Sequence, residues 1–202
     1  MINLELIHKE VEKLRKADPG CKFFGADHHR YQFNKCLSET SISSFEKMYN
    51  FSIPNEFKEF LLTVGNGGVG PAYGIFPLKD TFFDFKLKDM PPIPVDKPFP
   101  YTEPWNEEWI NNIDWDHERP NDEIVKNYMN VSHISGTLQI AHYGHGCTYL
   151  LVVTGPEVGN IWFDGRADYG GIFPECEQNK PRLSFLDWYF GWLQSRLQEI
   201  YQ

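Results

Sequence analysis

Residues 136–164 read GTLQIAHYGHGCTYLLVVTGPEVGNIWFD, and this stretch decides the fold. Three runs in it are rich in β-branched and aromatic residues, which predicts strands at 136–141, 148–153 and 160–164. The two links between them, HYGHGC and TGPEVG, have the glycine-rich composition of turns. Because short links join neighbouring strands that run in opposite directions, the stretch predicts a three-stranded antiparallel meander.

Helices are predicted at both ends of the chain. Leu4, Ile7, Val11 and Leu14 recur at helical spacing, and the DPG at 18–20 ends that run. The last helix is expected after Ser184, whose hydroxyl can cap it. Its aromatic face, with Phe185, Trp188, Tyr189 and Trp192, is expected to pack on the sheet.

Two more helices are predicted before the meander. Ser43 with Glu46 fits a capping box at the start of one of them. Pro54 suits the first position of the other, because no helix uses the amide proton that proline lacks. Phe57, Phe60, Leu61 and Val64 then form a single apolar face, and a Gly-Asn-Gly-Gly run at 65–68 ends the helix.

The segments YGIFPL (73–78) and TFFDF (81–85) are predicted to be two short strands, joined by a turn at Lys79-Asp80. Together with the meander they bring the number of predicted strands to five.

Composition indicates a globular protein. The chain has 202 residues, of which 41% are hydrophobic and 16% aromatic, far more apolar material than a disordered chain carries. This length suits one domain, 1–202, with an insertion. The net charge is −9 and no Lys/Arg cluster is present, which disfavours direct nucleic-acid binding and favours a basic protein partner.

Nothing in the sequence indicates export, membrane insertion or a cofactor. The first residues mix charges into every helical turn, unlike a signal peptide, and no apolar run reaches the ~18 residues of a membrane span. The four cysteines are scattered without a C-x-x-C, which indicates neither a disulfide framework nor a structural zinc site. We therefore expect a cytoplasmic monomer without a cofactor.

The insertion, about residues 86–133, is the first candidate site. It holds seven of the 14 prolines, three of the six tryptophans and a net charge of −5. Tryptophan surrounded by charge is typical of a binding hot spot, although the same rings could instead pin an irregular segment onto the core. The candidate partner-binding residues in this segment are Trp105, Glu107, Glu108, Trp109, Asp114, Trp115 and Asp116.

The turn AHYGHGC (141–147) is the second candidate. His142, His145 and Cys147 could form part of a metal site or a Cys/His catalytic pair, which would make the protein a small enzyme. Turn chemistry alone accounts for the glycines, and no further metal ligand is indicated by its spacing. We favour a structural hairpin with a half-buried thiol.

The loop FDGRADYGG (163–171) is the third candidate. Asp164 and Asp168 flank Arg166 and could bind a partner or perform acid/base chemistry. We favour an ion-paired surface loop, because such pairs are common.

The order of these parts resembles the SUKH superfamily, which includes fungal regulators of cell-wall glucan synthesis and many bacterial immunity proteins. The resemblance covers about residues 38–195. Several features that occur in the family's order, none of them specific alone, support the resemblance. They are Pro54, Asn66-Gly67-Gly68, Gly136-x-Leu138, the Gly144/Gly146 turn, Gly155 with Gly159, and Trp162.

This resemblance implies an α+β fold, with a central, mainly antiparallel sheet of about five or six strands flanked by helices. It also implies a non-catalytic protein that neutralises a cognate toxin, often a nuclease, by stoichiometric binding. A regulatory scaffold without a toxin, as in the fungal relatives, is the alternative within the family.

Overall fold

The computed structural model describes residues 4–82, 92–115, 117 and 119–200. In these ranges the chain forms seven α-helices and one sheet of four strands. The helices are α1 (Glu5–Ala17), α2 (Ala26–His29), α3 (Glu39–Tyr49), α4 (Asn55–Thr63), α5 (Trp109–Asn112), α6 (Asp122–Tyr128) and α7 (Phe185–Ile200). The strands are β1 (Thr137–Gly144), β2 (Cys147–Val152), β3 (Ile161–Asp164) and β4 (Ile172–Pro174).

The sheet is an antiparallel meander in the order β1-β2-β3-β4, which confirms the predicted α+β class. Its four strands are slightly fewer than the five or six expected. At the β1–β2 turn His145 and Gly146 both have positive φ, +50° and +90°, as a two-residue type I′ hairpin requires. The three-residue β4 was not predicted, because it is too short to show an alternating pattern.

Side chains alternate between the two faces of the sheet. One face, here called the insertion face, carries Leu150 and Trp162, and Phe99 from the insertion packs 5.0 Å from the Trp162 ring. The other, here called the α7 face, carries Tyr149 and Phe163. Trp188 of α7 lies 4.8 Å from Tyr149, measured between ring centroids. Two different coverings therefore protect the two faces.

Three predicted helices form where expected. The apolar stripes of α1 and α4 are buried, and α1 packs against α7. Phe57 and Phe60 of α4 lie 4.9 and 5.2 Å from Phe185 of α7. Ser184 accepts a hydrogen bond from the Asp187 amide at 3.3 Å, as a cap at the start of α7 should. Pro54 is the residue just before α4 and not its first helical residue.

The start of α3 differs from the prediction. Ser38, not Ser43, is the cap, and it accepts a hydrogen bond from the Ser41 amide at 3.1 Å. The backbone of Ser38 is extended, which is where a side chain can turn back onto the first amides of a helix. Glu46 instead accepts from the Ile53 amide and pairs with Lys58.

The predicted strand at 73–78 is wrong as a regular element. Ile75 makes single bridges to Gly68 and Ala141, and the chain then forms a 3-10 helix at Leu78–Asp80 in place of the expected two-residue turn. Gly74, with φ of +94°, interrupts the extended backbone. Pro77 has no amide to donate to a ladder. In the segment 81–85, Thr81 and Phe82 lie in a turn, and the remaining residues are outside the described ranges.

No helix within the described part of the chain has both the length and the hydropathy needed to cross a membrane.

Candidate functional site

The insertion is fastened to the edge of the sheet by Trp105. Its backbone exchanges two hydrogen bonds of 2.8 Å with Ile172 of β4. Its ring is half-buried and stacks on His133, Tyr101 and Tyr128, with centroids 4.3, 5.1 and 5.5 Å away. Trp105 therefore has a structural role, independent of any contact that the exposed part of its ring makes.

The other two tryptophans extend the same aromatic stack. Trp109 meets Tyr128 and Tyr169 edge-on at 5.7 and 6.0 Å, and Trp115 lies 4.7 Å from Tyr169. All three tryptophans are half-buried. The three rings thus tie the irregular insertion to β4 and to Tyr169 in the loop after β3. This structural role is one of the two interpretations that the sequence left open.

Beneath this stack lies a buried ion pair. Arg166 and Asp164 are only 2% and 6% exposed, and two charge-assisted hydrogen bonds of 2.8 Å join their side chains. The guanidinium also donates to the backbone carbonyls of Tyr128 and Asn130, at 3.1 and 2.9 Å. The expected surface loop is therefore wrong, because these carbonyls at the end of α6 draw Arg166 inward. Burial also removes Asp164 from any surface that a partner could touch.

The remaining candidate carboxylates are close to the surface, as is Glu103, which was not among the candidates. We call them the acidic ridge: Glu103, Glu107, Glu108, Asp114 and Asp168. Glu107 is half-buried and the other four are exposed, and Asp116 lies outside the described residues. Asn106 links the two parts of the ridge by donating a 3.0 Å hydrogen bond to the Tyr169 carbonyl. Exposed carboxylates keep their hydration and attract a cationic surface over roughly 8 Å at physiological salt.

The AHYGHGC turn does not assemble a nucleophile. Cys147 is 3% exposed, and its thiol donates to the Asp168 carboxylate at 3.4 Å. Burial, reinforced by that carboxylate, raises the pKa of Cys147 to about 12, so the thiol stays protonated at neutral pH. His145 is exposed at the tip of the hairpin, and the His142 ring stacks on Tyr73 at 5.5 Å.

A metal site is not formed there either. Across residues 4–82, 92–115, 117 and 119–200, no group of three or more His, Cys, Asp or Glu side chains is placed to hold an ion.

An aromatic row on the α7 face was missed by the sequence analysis. Tyr143, Tyr149, Phe163 and Phe173 follow one another across the four strands, with successive ring centroids 6.0, 5.2 and 5.3 Å apart. Its ends are open, because Tyr143 is 45% and Phe173 37% exposed. Tyr149, Phe163 and Phe173 are cross-strand neighbours. The sequence could have indicated this row only if β4 and the register of the strands had been known. Exposed contiguous aromatic surface is typical of a binding site.

The insertion and the aromatic row both reach β4. Ile172 of this strand bridges Trp105 in the insertion, and its neighbour Phe173 ends the row on the other face. A single partner that covers the β4 edge could therefore contact both.

Comparison with known proteins identifies the family. A family model described as the SMI1 / KNR4 family (SUKH-1) matches residues 36–178. No curated protein and no solved structure matches the chain. The matched region contains α3 to α6 and all four strands, with the acidic ridge and the aromatic row. Since this match covers well over half of the 202 residues, the chain belongs to the SMI1 / KNR4 (SUKH-1) family.

Proposed function

We propose that this protein is a non-catalytic immunity protein, which neutralises a cognate bacterial toxin by stoichiometric binding. The observation that carries this proposal is the acidic ridge, a set of carboxylates at the surface of the domain. The domain belongs to a family that includes toxin immunity proteins. We further propose that it acts as a monomer in the cytoplasm, on a toxin domain with a basic surface such as a nuclease.

The ridge is built on a rigid support. Its segment is irregular, yet Trp105 is bonded to β4 and the rings of Trp109 and Trp115 pack on Tyr169. A surface that is ordered before binding loses less conformational entropy when the partner arrives. This supports a ridge that binds without first folding.

Charge supports a basic partner. The net charge of −9 and the concentration of carboxylates in the insertion create a negative field over this side of the molecule. Such a field speeds encounter with a cationic surface and repels acidic competitors. A nuclease can be inhibited in this way without contact to its catalytic residues, because covering its nucleic-acid groove suffices.

The first test is co-purification of the tagged protein with the product of the neighbouring upstream gene, followed by measurement of the association rate. We expect a one-to-one complex. The triple variant Glu103→Gln, Glu107→Gln, Glu108→Gln should lower the association rate about tenfold at low salt.

The matched control changes the same number of charges away from the ridge. Glu39→Gln, Glu59→Gln, Asp80→Asn alters three exposed carboxylates on α3, α4 and the 3-10 helix Leu78–Asp80 and should leave the rate almost unchanged. Equal losses in the two triple variants would refute a role for the ridge, and failure to form any complex would refute the immunity function.

A further inference from the structure

A cleft of about 370 Å³ opens between α7 and the aromatic row. Five aromatic residues form much of its wall: Phe24, Tyr143, Tyr149, Trp188 and Trp192. Tyr143 and Tyr149 belong to the row, so the cleft is continuous with the exposed aromatic surface. Its volume is within the usual range of ligand pockets.

One carboxylate of this cleft has no counterion within the described part of the chain. Glu175 is half-buried, and no group within the described ranges donates a hydrogen bond to its side chain or forms an ion pair with it. Burial raises the pKa of Glu175, and burial together with this carboxylate raises the pKa of Tyr149. A partly desolvated carboxylate that is unpaired in the described structure is available to a cationic ligand.

The other charged groups of the cleft do not satisfy Glu175. Arg196 pairs with Glu199 at 2.9 Å, and its guanidinium lies 5.8 Å from the centre of the Phe23 ring. Glu177 is exposed and adds a second negative charge at the rim. The cleft therefore presents an excess of negative charge within aromatic walls.

Gly191 lines the cleft from the α7 side. It lies in the middle of α7, where glycine destabilises a helix relative to alanine. A Cβ at this position would lie 2.9 Å from Oε1 of Glu177. The missing side chain thus leaves room for the carboxylates along the helix.

We propose that this cleft binds an arginine side chain of the protein partner, with the guanidinium stacked on the aromatic walls and hydrogen-bonded to Glu175. The inference rests on the proposed function for the existence of a protein partner. Arginine fits better than lysine, because its planar, weakly hydrated guanidinium stacks on rings and can bond a carboxylate through two donors at once. The aromatic row beside the cleft supplies apolar surface that only a macromolecule can cover.

The cleft can be tested without the partner, using N-acetyl-L-arginine amide as the probe. Titration followed by tryptophan fluorescence should show saturable binding. The neutral isostere N-acetyl-L-citrulline amide should bind at least about tenfold more weakly, because it lacks the charge that Glu175 attracts. Glu175→Gln keeps the size of the side chain and should abolish this preference, while Glu59→Gln, an equal charge change on α4, should retain it.

Equal binding of the arginine and citrulline compounds, or no binding of either, would overturn the proposal. So would an unchanged preference in Glu175→Gln. Gly191→Leu provides a second test in the same titration. A leucine side chain at the rim should reduce binding of the arginine compound without removing any charge.

Measurements of toxin binding distinguish this inference from the proposed function. If the toxin binds the wild-type protein, Glu175→Gln should increase the dissociation rate at least about tenfold. Toxin binding that is equally tight in Glu175→Gln would reject the cleft and leave the immunity function standing. If no toxin binds at all, the immunity function is rejected, and the arginine titration decides whether the cleft binds guanidinium.

Discussion

The carboxylates of Asp164 and Glu175 lie on opposite sides of the sheet. They differ in whether a positively charged side chain pairs with them. Asp164, under the insertion, shares two hydrogen bonds with buried Arg166. Glu175, beside α7, is withdrawn from water into an aromatic cleft and has no such partner in the described structure. Buried charges in folded proteins are normally paired. We therefore assign the Asp164–Arg166 pair a structural use and Glu175 a different one, as an acceptor for a partner.

The same contrast applies to the aromatic residues of the two faces. On the insertion face, Trp105 is bonded to the sheet edge and stacked on three other rings. On the α7 face, Tyr143 and Phe173 remain substantially exposed. We infer that Trp105 on the first face stabilises the protein, and that the exposed ends of the row on the second, Tyr143 and Phe173, are available to a partner.

Breaking the buried ion pair should have the largest effect. Asp164→Asn leaves Arg166 buried without its counterion, and we expect the free energy of unfolding to fall by about 3–5 kcal/mol. Urea denaturation measures this change. Asp96→Asn, which disrupts an exposed contact with Lys97, should change it by no more than about 0.5 kcal/mol. Similar small losses for both variants would show that the Asp164–Arg166 pair is not structural.

The thiols of Cys147 and Cys176 should react at very different rates. Cys147 is buried against Asp168, and its pKa of about 12 keeps the thiolate scarce, whereas Cys176 is exposed beside the cleft. At pH 8 iodoacetamide should alkylate Cys147 at least about 100-fold more slowly than Cys176, because each pKa unit reduces the thiolate about tenfold. Mass spectrometry of the modified peptides measures both rates. Faster alkylation of Cys147 would revive the enzymatic interpretation of the turn.

Aromatic truncations should separate stability from binding. Trp105→Ala removes a half-buried ring with three stacking partners and should lower the free energy of unfolding by about 2–4 kcal/mol. Tyr143→Ala, at an exposed position of the row, should cost less than about 1 kcal/mol and reduce affinity for the partner. Thermal denaturation and a binding titration on the same two samples test this. A stability loss that is larger for Tyr143→Ala would reverse our assignment of the two faces.

Removing the unpaired carboxylate should stabilise the protein. Burial raises the pKa of Glu175 above its usual value of 4.5, so the folded state holds this proton more tightly than the unfolded state does. The associated stability is present below pH 4.5 and is lost as pH rises through the raised pKa. At pH 7 Glu175→Gln should therefore be more stable than the wild-type protein, by about 0.5–2 kcal/mol, the usual range for stabilising substitutions.

This prediction is checked by denaturation at several pH values, in which the advantage of Glu175→Gln should disappear near pH 4. Tyr149, Glu177 and Arg196 border the cleft in both proteins, and Tyr149, whose pKa is raised, stays protonated throughout this pH range. A variant that is less stable than the wild-type protein at pH 7 would mean that Glu175 has a stabilising partner.

The fold was largely predictable because its main elements have strong local patterns. Three β-rich runs separated by glycine turns specify the meander, and apolar residues at helical spacing specify α1 and α4. The failures have local causes too. The strand expected at 73–78 is interrupted by Gly74 and Pro77, and β4 is only three residues long.

The candidate site was predictable only in part. Composition revealed the acidic, aromatic insertion, but no local pattern shows that Arg166 turns inward to carbonyls of Tyr128 and Asn130, some 36 to 38 residues away in sequence. The cleft is less predictable still, because Phe24, Tyr149, Glu175 and Trp188 come from separate parts of the chain. Such sites depend on long-range packing, which spacing in the sequence does not encode.

The central claim, that this family member binds a basic protein partner through charge, is tested most directly by titration calorimetry with the neighbouring toxin domain at about 50 and 300 mM salt. We predict one-to-one binding with a dissociation constant of about 1 nM or below at low salt, weakening as salt is raised. Absence of binding, or an affinity that salt does not change, would contradict the account.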